Sequence, residues 1–249
     1  MDDRQDALQT SEAGNQRILV THAVLAGLTP LIPVPVVDDL AKNYFRKRMI
    51  RRLAAANGRG LGVEELTVLT REREGGCLRG CLVAAIVYPL KAVFRKVFYF
   101  LEWKRAVDLA SRTYHFGYLA NYSMQRRADG TSILDVRRAS DVGEAIAAAC
   151  RESPIKPVEG AIGGTFRGSR RVLRAAAALL ASALRRLAGR ARPEEVAEAI
   201  EQIEPEEERE IEPVVSRLQR AIAAVPEEHF RHLRERLDAR LGLGQSRER

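Results

Sequence analysis

The stretch LIPVPVVDDLAKNYFRKRMIRRLAAANG, Leu31 to Gly58, passes from a proline-broken apolar run into a helix. Pro33 and Pro35 keep the first residues out of regular structure. Asp38 and Asp39 follow, acids that suit the positive end of a helix, and Asp38 stands one turn before Lys42. Apolar residues then recur at Val37, Ala41, Phe45, Met49, Leu53 and Ala56, with Leu40 and Tyr44 widening the stripe. That is the period of an amphipathic helix. Lys42, Arg46, Lys47, Arg48, Arg51 and Arg52 occupy much of the remaining circumference. Asn57-Gly58 supplies the left-handed residue that ends it.

The acid pair has a second reading. Helical enzymes that grip diphosphates through magnesium use aspartates spaced DDxxD, which puts carboxylates on one helical face. Here the run is Asp38-Asp39-Leu40-Ala41-Lys42, with a lysine where the third acid would stand, and no second cluster of this form follows. A helix start is the stronger reading, and an enzyme of lipid or isoprenoid diphosphates using Asp38 and Asp39 is an alternative.

Outward from this helix, the pattern stays helical. Helices are expected over about 12–28, 36–57, 62–72, 77–127 with a kink at Pro89, 132–152 and 158–189. SPIKPVEG at 153–160 reads as a linker. Pro193, Pro205 and Pro226 are each followed by two glutamates, a pattern that favours helix starts. No alternating strand pattern appears. The expected fold is all-α: a multi-helix bundle with amphipathic, partly membrane-interfacial helices and a small C-terminal helical unit. The expected division is a basic helical domain with apolar segments over 1–155 and a helical region with an acidic tail over 156–249.

The 249 residues are 46% hydrophobic and 30% charged, which excludes a disordered composition. Aromatics are only 6%, so the core rests on aliphatic residues and alanine. The net charge of +8 is uneven: residues 1–130 hold 20 basic against 13 acidic side chains, 131–192 hold 12 against 5, and 193–249 hold 9 against 15. A basic body with an acidic tail implies an anionic partner, phospholipid or nucleic acid. Three cysteines, Cys77, Cys81 and Cys150, and an acidic, polar N-terminus argue against a disulfide framework and a secretory signal. A cytoplasmic location is therefore expected. Ile18 to Val37 carries no charge and has the length of a membrane span, but Pro30, Pro33 and Pro35 break it.

KAVFRKVFYFLEWKR at 91–105 mixes Phe94, Phe98, Tyr99, Phe100 and Trp103 with Lys91, Arg95, Lys96, Lys104 and Arg105. Aromatic rings seek a membrane interface and basic side chains snorkel beside them. The expected membrane-interface residues are therefore Lys42, Arg46, Lys47, Arg51, Arg52, Lys91, Arg95, Lys96 and Trp103. Gly160, Gly164 and Gly168, spaced by four, would make a smooth face for close helix packing. A phosphate loop is disfavoured, since neither GxGxxG nor GxxxxGK[ST] matches. Cys77 and Cys81 read as small apolar residues. His229 and His232 share a helical face near Glu228 and Glu235, too little for a metal site, and His22 and His115 look isolated. Neither a catalytic residue, a metal nor a cofactor is indicated.

The segment around Pro33, Pro35, Asp38, Met49, Ile50, Arg51, Leu53, Ala54 and Gly58 resembles a signature of bacterial helical domains of the EcsC-like and YcjF-like type. There a proline-containing apolar turn leads to an acid, an amphipathic helix and a Met-Ile/Arg-rich run closing with glycine. The resemblance covers about residues 30–58 and implies membrane association without catalytic residues. The expectation is a non-enzymatic scaffold or accessory protein, peripheral to the inner membrane, that meets an anionic membrane surface through the apolar faces of residues 18–37 and 81–101. A protein partner or a second copy of the chain is compatible with it, and a basic nucleic-acid-binding protein is the less favoured alternative.

Overall fold

A helical segment that is apolar on every side is stable in water only where every side is covered. The computed structural model of the chain builds its core around such a segment, residues 18–28. It describes residues 2–32, 37–71, 95–125, 136–153, 155–188 and 204–243. The regular structure there is all helical, with no strand among the described residues. Helix α1 spans Asp2–Leu28 and ends in a 3-10 turn at Thr29–Leu31, where Pro30 stops it. Next come α2 (Val37–Ala56), α3 (Val63–Leu69), α4 (Arg95–Gln125) and α5 (Val136–Glu152). After them follow α6 (Lys156–Gly168), α7 (Arg170–Ala188), α8 (Glu204–Ala223) and α9 (Glu227–Arg240).

Every residue from Leu19 to Thr29 is buried. Helix α1 lies against α2, α4 and α8 and also touches α7. Two polar groups inside this core are bonded locally: the Nδ1–H of His22 donates to the Ile18 carbonyl at 2.8 Å, and Thr29 Oγ1 donates to the Ala26 carbonyl at 2.9 Å. Such bonds offset the cost of removing polar groups from water. One continuous core runs from Leu19 to Leu237 in the sequence, and helices on either side of residue 155 pack on each other, α1 on α8 and α4 on α6.

Two helix ends have the expected chemistry. Gly58 has φ 67°, its N–H donates to the Ala55 carbonyl at 3.0 Å, and Arg59 N–H donates to the Ala54 carbonyl at 2.8 Å. Gly242, φ 69°, closes α9 in the same way. Pro226 stands at the N-cap of α9, with Glu227 and Glu228 in its first turn.

Two expectations are corrected. The helix read over 158–189 is two helices. Ser169 is buried, and its N–H reaches back to the Phe166 carbonyl at 3.2 Å, a tighter turn that lets α8 pack on both α6 and α7. Half of the supposed linker at 153–160 is already helical: Pro157 sits in the first turn of α6, where its missing N–H costs nothing. Pro193, Cys77, Cys81 and Lys91 lie outside the described residues.

Gly160, Gly164 and Gly168 are exposed, and a Cβ on any of them would meet nothing within 4 Å. They are not the close-packing glycines of the described bundle. Those are Gly27, Gly117 and Gly143, buried in α1, α4 and α5. A Cβ on Gly143 would lie 2.7 Å from the Leu69 carbonyl oxygen and 3.2 Å from Leu69 Cα, all backbone. Alanine there must push α3 off α5, so Gly143→Ala should cost about 1–2 kcal/mol in urea unfolding even after its helix-propensity gain. Gly164→Ala, in open space, should raise stability by about 0.5–1 kcal/mol. Equal effects of the two substitutions would refute this assignment of roles.

Candidate functional site

The polar groups that the bundle takes into its interior mark two places. The first lies between α4 and α9. Ser111 and His115 are one turn apart on α4, and both are fully buried. His115 Nδ1 lies 2.7 Å from the Ser111 carbonyl. A carbonyl only accepts, so this nitrogen carries the proton and the neutral ring has a bare Nε2. That Nε2 is 3.0 Å from Nε2 of His229, with the rings nearly perpendicular at 86°. The proton between them therefore belongs to His229 Nε2, which donates to His115, and His229 Nδ1 is the bare nitrogen of its ring.

Aromatic rings wall this pair. Phe230 lies 4.9 Å from Tyr118 and 6.4 Å from Tyr114, centroid to centroid. Farther along α9, Arg234 donates to the Tyr118 hydroxyl at 2.5 Å, Tyr122 donates to Asp238 at 3.0 Å, and Arg236 and Arg240 both reach Glu152. Burial in apolar surroundings pushes His115 down to about 4, helped by the nearby His229. Burial and then the charge of His232 lower His229. Both rings are neutral at pH 7.

The second place lies where α1, α2 and α8 meet. Arg48 and Arg52, one turn apart on α2, both donate to one oxygen of Glu208 at 3.2 and 3.0 Å. Arg48 is almost wholly buried. Burial pushes His22 down to about 3, despite the bond to Ile18, and the charges of Arg52 and Arg48 add to the shift. Glu208 thus gives the buried Arg48 a carboxylate partner at the edge of the core, with the half-exposed Arg52 beside it.

The expected interface residues separate. Arg46 is 6% exposed, with its guanidinium 4.1 Å from the centre of the Phe116 ring. Trp103 is 8% exposed, edge-on to Phe166, with the Arg170 guanidinium 5.7 Å from the centre of its ring. Both therefore belong to the protein interior rather than to an outer face. Lys47 is half-buried and donates to Thr67 at 3.2 Å, Arg52 is turned to Glu208, and Arg51 is exposed. Lys42, Arg95 and Lys96 lie on helices, but their side chains are outside the described residues, as are those of Asp38 and Asp39.

Among the described side chains of α4, Phe100 is 68% and Leu101 45% exposed. Lys104 and Arg105, also exposed, stand four residues on from them. That spacing puts each cation directly behind an apolar tip on the same face.

His229 and His232 do not share a face. His229 is buried against His115, whereas His232 is exposed between Glu228 and Glu235. The signal that would have placed His229 inside is its four-residue register with Leu233 and Leu237. Its partner, 114 residues away, has no local mark. Among the described residues no cluster of three or more His, Cys, Asp or Glu could hold a metal ion. Burial pushes the Cys150 thiol up to about 12, which makes it a packing group rather than a nucleophile. The chemistry within reach is therefore to hold or share a proton between two rings and to present cations behind an apolar tip. Among the described residues no helix is long and apolar enough to cross a membrane.

The fold and these groups define a class no narrower than an all-α bundle with a buried histidine pair. Comparison with family models, with curated proteins and with solved structures found no match.

Proposed function

We propose that the protein is a non-enzymatic accessory or scaffold protein that binds peripherally to an anionic membrane surface through the N-terminal end of α4. The observation that carries this is the ridge Phe100, Leu101, Lys104 and Arg105: two exposed apolar side chains at the tip and a cation one turn behind each. On an interface the apolar tips enter the acyl boundary while the cations stay at the headgroups. The apolar stripes of residues 18–32 and of α2 from Phe45 onward contribute nothing to such binding, because they are the protein core. The remaining support is electrostatic. The chain carries +8, and basic residues near an anionic surface contribute about 1 kcal/mol each.

The test is sedimentation with vesicles of mixed phosphatidylcholine and phosphatidylserine. The protein should pellet at low salt and remain in solution at high salt. The double variant Phe100→Glu/Leu101→Glu should bind at least tenfold more weakly with unchanged helical circular dichroism, because burying one large apolar side chain is worth about 1.5–3 kcal/mol and 1.4 kcal/mol is tenfold. Protein that stays in the supernatant at low salt defeats the proposal. A mobility shift on random duplex under the same conditions would instead favour nucleic-acid binding.

A further inference from the structure

We propose that the His115–His229 contact is an acid-sensitive latch, which holds α9 on α4 and α5 while both rings are neutral and releases it when both are protonated. The tautomers of the docked rings dictate this. The docked state has one proton between the two Nε2 atoms, 3.0 Å apart, and one on His115 Nδ1, held by the Ser111 carbonyl. A first added proton has a harmless place, His229 Nδ1, and leaves His229 as a cationic donor to His115. A second has only His115 Nε2. Two N–H groups would then point at each other across a 3.0 Å gap between two cations, on rings that both lie among the buried residues.

The surroundings do not offset this charge. From α4, Tyr114, Tyr118 and Tyr122 face α9. From α5, Glu152 meets Arg236 and Arg240 at the far end of the helix. On α9 itself, Glu227 is taken by Arg234 and Glu228 and Glu235 by Arg231 and His232, while Asp238, which accepts from Tyr122, stands nine residues on from His229. The charge acting on His115 is that of His229, and the charge acting on His229 is that of His232, another cation in acid. Below about pH 6.5 the undocked rings take up protons that the docked pair resists. Each proton taken up shifts the balance toward release by about tenfold per pH unit.

Release needs no rearrangement elsewhere. Among the described residues α9 is the last helix, and it packs chiefly on α4 and α5. What leaves the body is an amphipathic helix whose inner face is Phe230, Leu233 and Leu237.

The experiment is hydrogen exchange on the full chain between pH 7 and 4.5, normalised to the intrinsic rate at each pH, beside nitrogen-15 spectra of the imidazoles. Protection across residues 227–240 should fall by at least tenfold per pH unit below about 6.5 and lie well below that of residues 19–28 at each pH, since the core opens only on global unfolding. The imidazole spectra should show both rings gaining protons at the midpoint of that loss. In His115→Phe/His229→Leu, the slope for residues 227–240 should disappear. The proposal is overturned if residues 227–240 are as protected as residues 19–28 at every pH, so that both open only together, if α9 opens while both rings are still neutral, or if the double variant keeps the wild-type slope. The first two outcomes are read on the wild type, so they decide the matter even if the variant does not fold.

Discussion

Phe166→Ala is expected to lower the unfolding free energy by about 3–5 kcal/mol, the range for truncating a buried aromatic ring. Phe166 on α6 is fully buried at the meeting of α1, α4 and α6. Its ring takes the edge of Trp103 at a centroid distance of 6.5 Å and an angle of 82°. On the other side lies Gly27 of α1, where a Cβ would stand only 3.1 Å from the ring. Gly27 itself already lies against the backbone of α4: the same Cβ would lie 2.9 Å from the Ala106 carbonyl oxygen, so α1 and α4 cannot close further on each other. The site therefore cannot collapse onto a smaller residue, and the loss should sit toward the upper end of the range. Urea unfolding should show a lower midpoint with an unchanged slope. Phe100→Ala, the same change at an exposed position, should fall within about 0.5 kcal/mol of wild type. A loss below 1 kcal/mol at Phe166 would mean that the junction of the three helices is not packed as described.

Acid is the second strong perturbation. His22 is held down to about 3 and His115 to about 4, both chiefly by burial. In the unfolded chain both return to the ordinary value near 6.5. Their folded values are depressed, so the unfolded state binds protons first, and stability falls as pH drops below about 6.5. Between pH 7 and 5 each ring should remove about 2 kcal/mol, from the slope of 1.36 kcal/mol per pH unit per proton. Melts at pH 7, 6 and 5 should show this as a steepening loss. Stability unchanged between pH 7 and 5 would place both rings in contact with solvent.

Fold class was legible because each helix carries its own stop and start. Gly58 and Pro226 act where their sequence positions predict, since capping is settled within a turn. The break at Ser169 was not legible, because it is fixed by what α8 needs to touch on both sides. The interface residues show the same limit. The stripe Phe45, Met49 and Leu53 announces an apolar face, but nothing in a helical period says whether lipid or protein covers it. Arg46 looked like surface because charge usually is; Phe116, which receives it, is 70 positions away. The glycines invert most clearly. Regular spacing drew attention to Gly160, Gly164 and Gly168, which meet nothing. Gly27, Gly117 and Gly143 stand singly in the sequence, and what sets Gly27 and Gly143 apart is the backbone of another helix beside them.

The central position of α1 has a consequence for synthesis. The segment from Leu19 to Thr29 is made early, yet the helices that cover it come from later parts of the chain, α8 not until Ala223. Until that helix has emerged, this segment, part of the uncharged run from Ile18 to Val37, stands in the nascent chain uncovered on the side that α8 closes. Chaperones and membrane-targeting machinery both select nascent segments of this kind. Closure of the bundle is thus also the end of a period in which the chain can be taken for a membrane protein.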